Sequence, residues 1–218
     1  PDLIVTQALC EVCAVSETDV RAIAARMPTQ PQVVTLSGST WDGITEDMRR
    51  VGASLGCVDA AAELIESLEA RLLHIHETLR AARAPRPRVA VIEWTDPVFA
   101  AGHWVPELVR RAGGIDVMAA PGEHSSVHAV EDVMSAKPEV LVIAPCGYDS
   151  ARAADAARAL LATDEWSWAR EIVVWAMDSN SLLSRPGPRL VDGTETLASI
   201  MHPDLFGAAP AASAVRMS

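Results

Sequence analysis

The chain has 218 residues, half of them apolar, and sets 18 basic against 29 acidic side chains for a formal charge of −11. That length and apolar content can bury a substantial core, as one large domain or two smaller lobes. An acidic balance without a Lys/Arg cluster argues against nonspecific binding to nucleic acid or an anionic membrane face.

No apolar stretch reaches the roughly 18 residues needed to span a bilayer, and no signal-peptide pattern opens the chain. Cys10, Cys13, Cys57 and Cys146 are too few and too scattered for a disulfide framework. The chain reads as soluble, and because it enters a strand directly after Pro1, residues ahead of Pro1 are expected.

In chain order, Leu3 to Thr6 reads as a buried strand and is followed by Cys10 and Cys13 in a Cys-x-x-Cys pair. Ser16 and Asp19 make a start resembling a capping box for a helix to Arg26. Val33 to Leu36 is a second strand, and Thr40 caps a helix through Ser54 that Gly56 stops. From Asp59 onward Leu64, Ile65, Leu68, Leu72, Ile75 and Leu79 fall at steps of three and four, an apolar stripe along one long helix. His74 and His76 lie on that helix two apart, where they cannot share a face, and Glu63, Glu66 and Glu69 form its polar side.

After the Pro-rich segment AARAPRPR the alternation restarts. It runs through the strand Val89 to Glu93, a helix from Val105 that Gly113 and Gly114 stop, and a helix over Val130 to Ala136. The strand Val140 to Ala144, a helix over Ser150 to Ala162, the strand Ile172 to Ala176 and a helix over Leu190 to Met201 complete it. The fold class is α/β, with two Rossmann-like lobes joined by a single long helix. The expected division is an incomplete N-terminal lobe over 1–57, the connecting helix over 58–84, a C-terminal lobe over 85–204 and a flexible tail over 205–218. A long connector between lobes predicts a ligand cleft lined by loops at the carboxyl ends of the strands.

Residues following each strand are the candidates for that face. They are Gln7, Cys10, Glu11 and Cys13 after the first, and Glu93, Trp94, Asp96, Phe99, His103 and Trp104 after the third. Cys146 and Tyr148 follow the fourth, and Asp178, Asn180, Arg185 and Arg189 the fifth. Aromatic rings with a few polar groups suit ligand binding better than proton transfer. A tetrahedral metal site from Cys10, Cys13, Cys146 and His103 or His124 has one close ligand pair where structural zinc sites normally have two. Thiol chemistry at Cys10 and Cys13 lacks an adjoining helix N-terminus, because the next helix starts near Glu17. There is no Gly-x-Ser-x-Gly elbow, no His-Glu-x-x-His, and no dinucleotide or P-loop fingerprint in LSGSTWDG. In SRPGPRLVDG two prolines hold Arg185 and Arg189 on a stiff loop before a helix, a setting for an anionic or amide-bearing ligand.

The stretches DLIVTQALCEVCAV, VAVIEWTDPVFAAGHWVPELVRRAGG, PEVLVIAPCGYD and SRPGPRLVDGTETLASIMHP resemble the substrate-binding proteins of ABC importers for cobalamin and iron-siderophores, the long-helix class III periplasmic binding proteins. The likeness is greatest to the cobalamin-binding branch. It implies a non-enzymatic, extracytoplasmic bind-and-deliver protein that needs no cofactor and carries a metal chelate to an ABC importer permease. It also implies acidic docking residues at Glu17 and Glu131, and a pocket over Gln7 to Cys10, Phe99 to Trp104 and Asn180 to Arg185. Members of that family begin with a further strand-helix-strand portion, so the first lobe is expected to be incomplete here.

The resulting expectation is capture of a corrinoid, or a related metal chelate such as haem or a siderophore, in the interlobe cleft. Ligand contacts would come from Gln7, Cys10, Trp94, Phe99, His103, Trp104, Tyr148, Asn180 and Arg185. The rival is a zinc or thiol enzyme using Cys10, Cys13, Cys146 and His103.

Overall fold

In a computed structural model the structure describes residues 1–8 and 15–218. Cys10 and Cys13 therefore lie outside the described residues. The chain forms two compact units, Pro1–Glu69 and Ala70–Ser218.

In the first unit β1 (Leu3–Gln7) pairs in parallel with β2 (Gln32–Leu36), in the register Leu3 to Gln32 through Gln7 to Leu36. The intervening helix α1 (Glu17–Arg26) starts at Ser16, whose hydroxyl accepts from Asp19 N at 3.1 Å and donates to the Asp19 carboxylate at 2.8 Å. The first turn of the helix is thereby capped as the local sequence requires. Helix α2 (Trp41–Ser54) has Thr40 as its N-cap and buries Trp41 and Ile44. The apolar runs predict buried strands here, yet the two strands are half-exposed, and Val5 keeps 46% of its surface open. An apolar run identifies a strand, whereas its cover depends on neighbours remote in sequence.

Helix α3 (Val58–Ala82) has 25 residues, about 37 Å at 1.5 Å per residue. The boundary between the units falls within it. Ile65, Leu68, Leu72 and Ile75 are buried along one stripe. Leu64 belongs to that stripe by its spacing, but it lies off it, 42% exposed.

The second unit contains β3 (Arg88–Thr95), β4 (Val98–Ala100), α4 (Val105–Arg111), β5 (Ile115–Asp116) and β6 (Ser126–Val127). It continues with α5 (Val130–Ser135), β7 (Val140–Ile143), α6 (Ser150–Leu161), a 3-10 turn over Ser167–Glu171 and β8 (Val173–Met177). Last come α7 (Ser179–Leu182), α8 (Arg189–Met201), α9 (Pro203–Phe206) and β9 (Ala214–Arg216). Among the described residues seven strands make one sheet in the order β6-β4-β3-β7-β8-β9, with β5 paired to β3.

Strands β3, β7 and β8 are parallel and form its centre. Every residue from Val89 to Ile92 on β3 and from Val140 to Ile143 on β7 is buried, because a parallel strand covered on both faces needs an unbroken apolar run. Ala90, Ile92, Leu141, Ile143, Val174 and Ala176 share a core with Ala153, Ala154 and Ala157 of α6.

The tail over 205–218 reads from sequence as flexible. Instead β9 pairs antiparallel with β8, from Trp175 with Arg216 to Met177 with Ala214, and Ala214 is buried. A three-residue strand has too little periodicity to be recognised in a low-complexity segment. The same reason hides β4, β5 and β6. Arg71 of α3 ties that helix to α8, pairing with Glu195 through two nitrogens at 2.9 and 2.6 Å and with Asp192 at 2.5 Å.

Candidate functional site

The carboxyl ends of β3, β7 and β8 bring together most of the residues expected at a ligand face in the second unit. Trp94, near the end of β3, is 39% exposed, and its indole N–H donates to the Asp96 carbonyl at 3.0 Å. Tyr148, after β7, meets Trp94 edge to face, with ring centroids 5.9 Å apart and planes at 73°. On Tyr148 rests the guanidinium of Arg152, 4.1 Å from the ring centroid. Its helix α6 is capped by Asp149, which accepts from Arg152 N at 2.8 Å.

The Tyr148 carbonyl accepts from Ser179 N and Asn180 N, both at 3.0 Å, which joins this loop to the one after β8. Arg185 then donates to the Asn180 side-chain oxygen at 3.1 Å. The turn before Tyr148 needs Gly147, whose φ of +75° is unfavourable for residues with a Cβ. Arg189, expected beside Arg185, is exposed as the first residue of α8.

The loop after β4 forms the next part of the face. His103 has φ +53° and is gripped by main-chain bonds, donating to Glu123 O at 2.5 Å and accepting from Gly122 N at 2.8 Å. Its ring meets His124 at 5.1 Å, perpendicular, and its Nε2 is buried without a hydrogen-bond partner. Burial, and secondarily the neighbouring His124, hold its pKa below the ordinary imidazole value. A Cβ on Gly102 would stand 2.4 Å from Ser125 N, so only glycine permits this approach of the two loops.

Gly102 N donates to the Ser125 hydroxyl at 3.1 Å. Glu93 is half-buried, and its carboxyl is pushed up by burial, with the Ser125 hydrogen bond acting the other way. Phe99 is half-buried on β4 in register with Trp94.

Trp104 is buried, and its indole N–H donates to the Leu183 carbonyl at 2.7 Å. Its ring anchors α4 to the loop after β8 and is not among the exposed rings. Cys146 is a free, exposed thiol on the Tyr148 loop. Among the described residues no group of three or more His, Cys, Asp or Glu side chains is placed to hold a metal ion. A surface hollow of about 480 Å³ lies at the other end of the sheet, lined by residues such as Glu139, Arg170, Val173 and Arg216. It shares no residue with the aromatic face.

In the first unit Gln7 closes β1. Glu17 opens α1, where its carboxylate accepts from Arg21 Nε and Thr35 Oγ1, each at 2.7 Å. The Thr35 hydroxyl first, and Arg21 second, hold its pKa below the usual carboxylate value. Glu131 is exposed on the first turn of α5.

Sequence reasoning gives no binding role to two residues of the face. Glu93 is visible as a strand-end acid but has no assigned part. Arg152 carries a usable signal, a spacing of four from Tyr148 across the Asp149 cap. The assembled face offers the exposed Trp94 indole beside the half-buried Tyr148 ring, guanidinium groups and a side-chain amide, which together suit a flat or bulky ligand with a polar rim.

The family model described as periplasmic binding protein matches residues 1–169. No curated protein sequence matches the chain significantly. Among solved structures, an ABC transporter substrate-binding protein from Listeria monocytogenes superposes with a TM-score of 0.75 at 15% identity, over 93% of this chain and 77% of that one. A periplasmic heme-binding protein from Pseudomonas aeruginosa gives 0.72 at 22% identity, over 100% and 75%. A periplasmic vitamin B12-binding protein of Vibrio cholerae gives 0.58 at 18% identity, over 92% and 74%. At these identities the structural likeness establishes the fold.

Proposed function

The chain belongs to the periplasmic binding protein family, and from that premise we propose that it is the substrate-binding component of an ABC importer, carrying a corrinoid or a related metal chelate. The observation that carries this reading is the Trp94–Tyr148 pair with Arg152 stacked on it, beside the Asn180–Arg185 pair. The exposed indole supplies a surface for a macrocycle. Arg185, Asn180 and Arg152 supply hydrogen bonds to the amides or carboxylates of its rim.

Gln7 contributes a polar contact at the strand-end face of the first unit, Phe99 lies in register with Trp94 in the second, and His103 contributes from the loop after β4. The protein works outside the cytoplasm in this reading, and among the described residues no helix is long and apolar enough to cross a membrane. Glu17 and Glu131 serve as the acidic docking residues for the permease. One observation favours a second ligand: two guanidinium groups on one face suit a carboxylate-bearing rim such as that of haem better than an all-amide rim.

Parallel titration of the purified protein with cyanocobalamin, haemin and zinc separates the possibilities. A chelate absorbance shift that weakens tenfold or more in Trp94→Ala supports the reading, and the chelate that produces the shift identifies the rim chemistry. Stoichiometric zinc lost in Cys146→Ser, with neither chelate bound, would replace it with the metal-enzyme alternative. For docking, Glu131→Lys is expected to lower uptake through the importer while leaving chelate affinity unchanged.

A further inference from the structure

The loop carrying Tyr148 and the loop carrying Asn180 and Arg185 are joined by two hydroxyls that neither the aromatic nor the guanidinium contacts explain. Ser179 is 1% exposed. Its Oγ lies 2.5 Å from the Pro145 carbonyl and 2.8 Å from Ser184 Oγ. Ser184 Oγ in turn receives Gly147 N at 3.2 Å.

A serine hydroxyl has one proton and can accept as well, so the directions follow. A carbonyl only accepts, hence Ser179 donates its proton to Pro145. Ser184 must then donate to Ser179 and accept from Gly147. The chain of bonds runs one way, from the Gly147 N–H through Ser184 and Ser179 to the Pro145 carbonyl, and bonds in such a chain polarise one another.

Both ends of the relay lie on the same turn, Pro145 to Gly147. Cys146 N, between them, donates to Glu93 O at 2.9 Å, and Tyr148 N donates to Pro145 O at 3.0 Å. The residue before Ser184, Leu183, accepts the Trp104 indole N–H. The loops after β7 and β8 therefore meet through Ser179 and Ser184, and the loop after β4 joins them one residue away, at Leu183.

We propose that Ser179 and Ser184 are positioning residues: their hydroxyl relay locks the Tyr148 turn to the Asn180–Arg185 loop, so that Trp94, Tyr148 and Arg185 form one preformed ligand wall. This rests on the ligand face proposed above. Preorganisation of that kind contributes to affinity because side chains already in place lose little freedom on binding. The two serines touch no ligand in this scheme.

The first test needs no ligand. In protein labelled with 5-fluorotryptophan, the ¹⁹F resonance of Trp94, assigned through Trp94→Phe, reports its ring contact with Tyr148. Ser184→Ala and Ser184→Val are expected to shift or broaden that resonance while those of Trp41 and Trp166 stay in place, and Ser184→Thr, which returns the hydroxyl, is expected to restore it. An unchanged Trp94 resonance, or an equal change in every tryptophan, overturns the proposal. In the unaltered protein the Gly147 amide, on an exposed turn, is expected to exchange with solvent at least tenfold more slowly than an open loop amide; free exchange there also overturns it.

The second test uses cyanocobalamin and haemin as probes. Ser184→Ala is expected to weaken the chelate that binds about tenfold with Ser184→Thr near normal, and equal affinities in the two variants would refute the positioning role. If neither chelate binds the unaltered protein, the ligand reading fails, while the fluorine and exchange measurements still decide the relay.

Discussion

Each unit buries a carboxylate beside a loop that follows a strand, and the two are treated differently. In the first unit Asp47 of α2 is 5% exposed, and one of its oxygens accepts from Ser37 N and Gly38 N, both at 2.8 Å. Its other oxygen is paired with Arg50. In the second unit Asp116 also holds two backbone amides with one oxygen, Met118 N at 2.9 Å and Ala119 N at 3.0 Å. Its other oxygen is buried without a hydrogen-bond partner, and burial pushes the pKa up to about 6.

Among the described residues the first unit has a two-stranded sheet with half-exposed strands, so a large uncompensated polar cost there would remove much of its stability. Among the described residues the second unit has a seven-stranded sheet with a buried centre, and it carries several imperfectly satisfied groups, His103 Nε2 and Asp116 Oδ2 among them.

The largest expected effect tests the Asp47 side of that contrast. Asp47→Ala strips two loop amides and Arg50 of their partner and should cost about 3 kcal/mol, read as lost urea stability with loss of amide protection over β1 and β2. A cost near zero would break the comparison.

Asp116→Asn should act in the opposite direction. The native carboxyl binds its proton more tightly than the unfolded one, whose value is 3.8, so its contribution to stability is fully present below about pH 4 and lost as pH rises through about 6. The substitution should therefore stabilise by about 2 kcal/mol at pH 8, from a shift of about two units at 1.4 kcal/mol each less about 1 kcal/mol for burying an amide N–H₂, and should destabilise by about 1 kcal/mol below pH 4, where only the amide cost remains. Equal stability curves at both pH values would show that the orphaned oxygen reaches water.

Arg71→Ala should cost less, about 1 kcal/mol, because Arg71, Asp192 and Glu195 are each more than a third exposed. High salt should shrink the difference.

The smallest effect concerns His202, buried at the end of α8, whose pKa is lowered by burial, with the Gly113 backbone acting the other way. The fold holds its proton less tightly than the unfolded chain, whose value is 6.5, so stability should fall as pH drops through that value. His202→Gln should flatten this acid limb of the thermal-denaturation profile, and an unchanged slope would assign the limb to other groups.

The elements legible in the sequence are those with a local signature. Apolar runs mark β1, β2, β3, β7 and β8; Ser16 and Thr40 mark the starts of α1 and α2; and steps of three and four mark α3. Strands of two or three residues have no such signature, and β9 reads as a flexible tail because its hydrogen bonds go to β8, far earlier in the chain.

At the candidate face, the residues after each strand are visible as a set because parallel strands end on one side of a sheet. Their partners are not. Trp104 looks from sequence like a pocket ring, and only the Leu183 carbonyl makes it an anchor. By itself the sequence determined the α/β class, the long helix and the identity of the strand-end residues, since all three follow from periodicity and capping within a few residues. Tertiary structure alone decided which rings stay open, that Arg152 lies on Tyr148, and that Ser184 closes a relay on a turn 37 residues earlier. Those contacts depend on side-chain directions across separate loops, which no local propensity encodes.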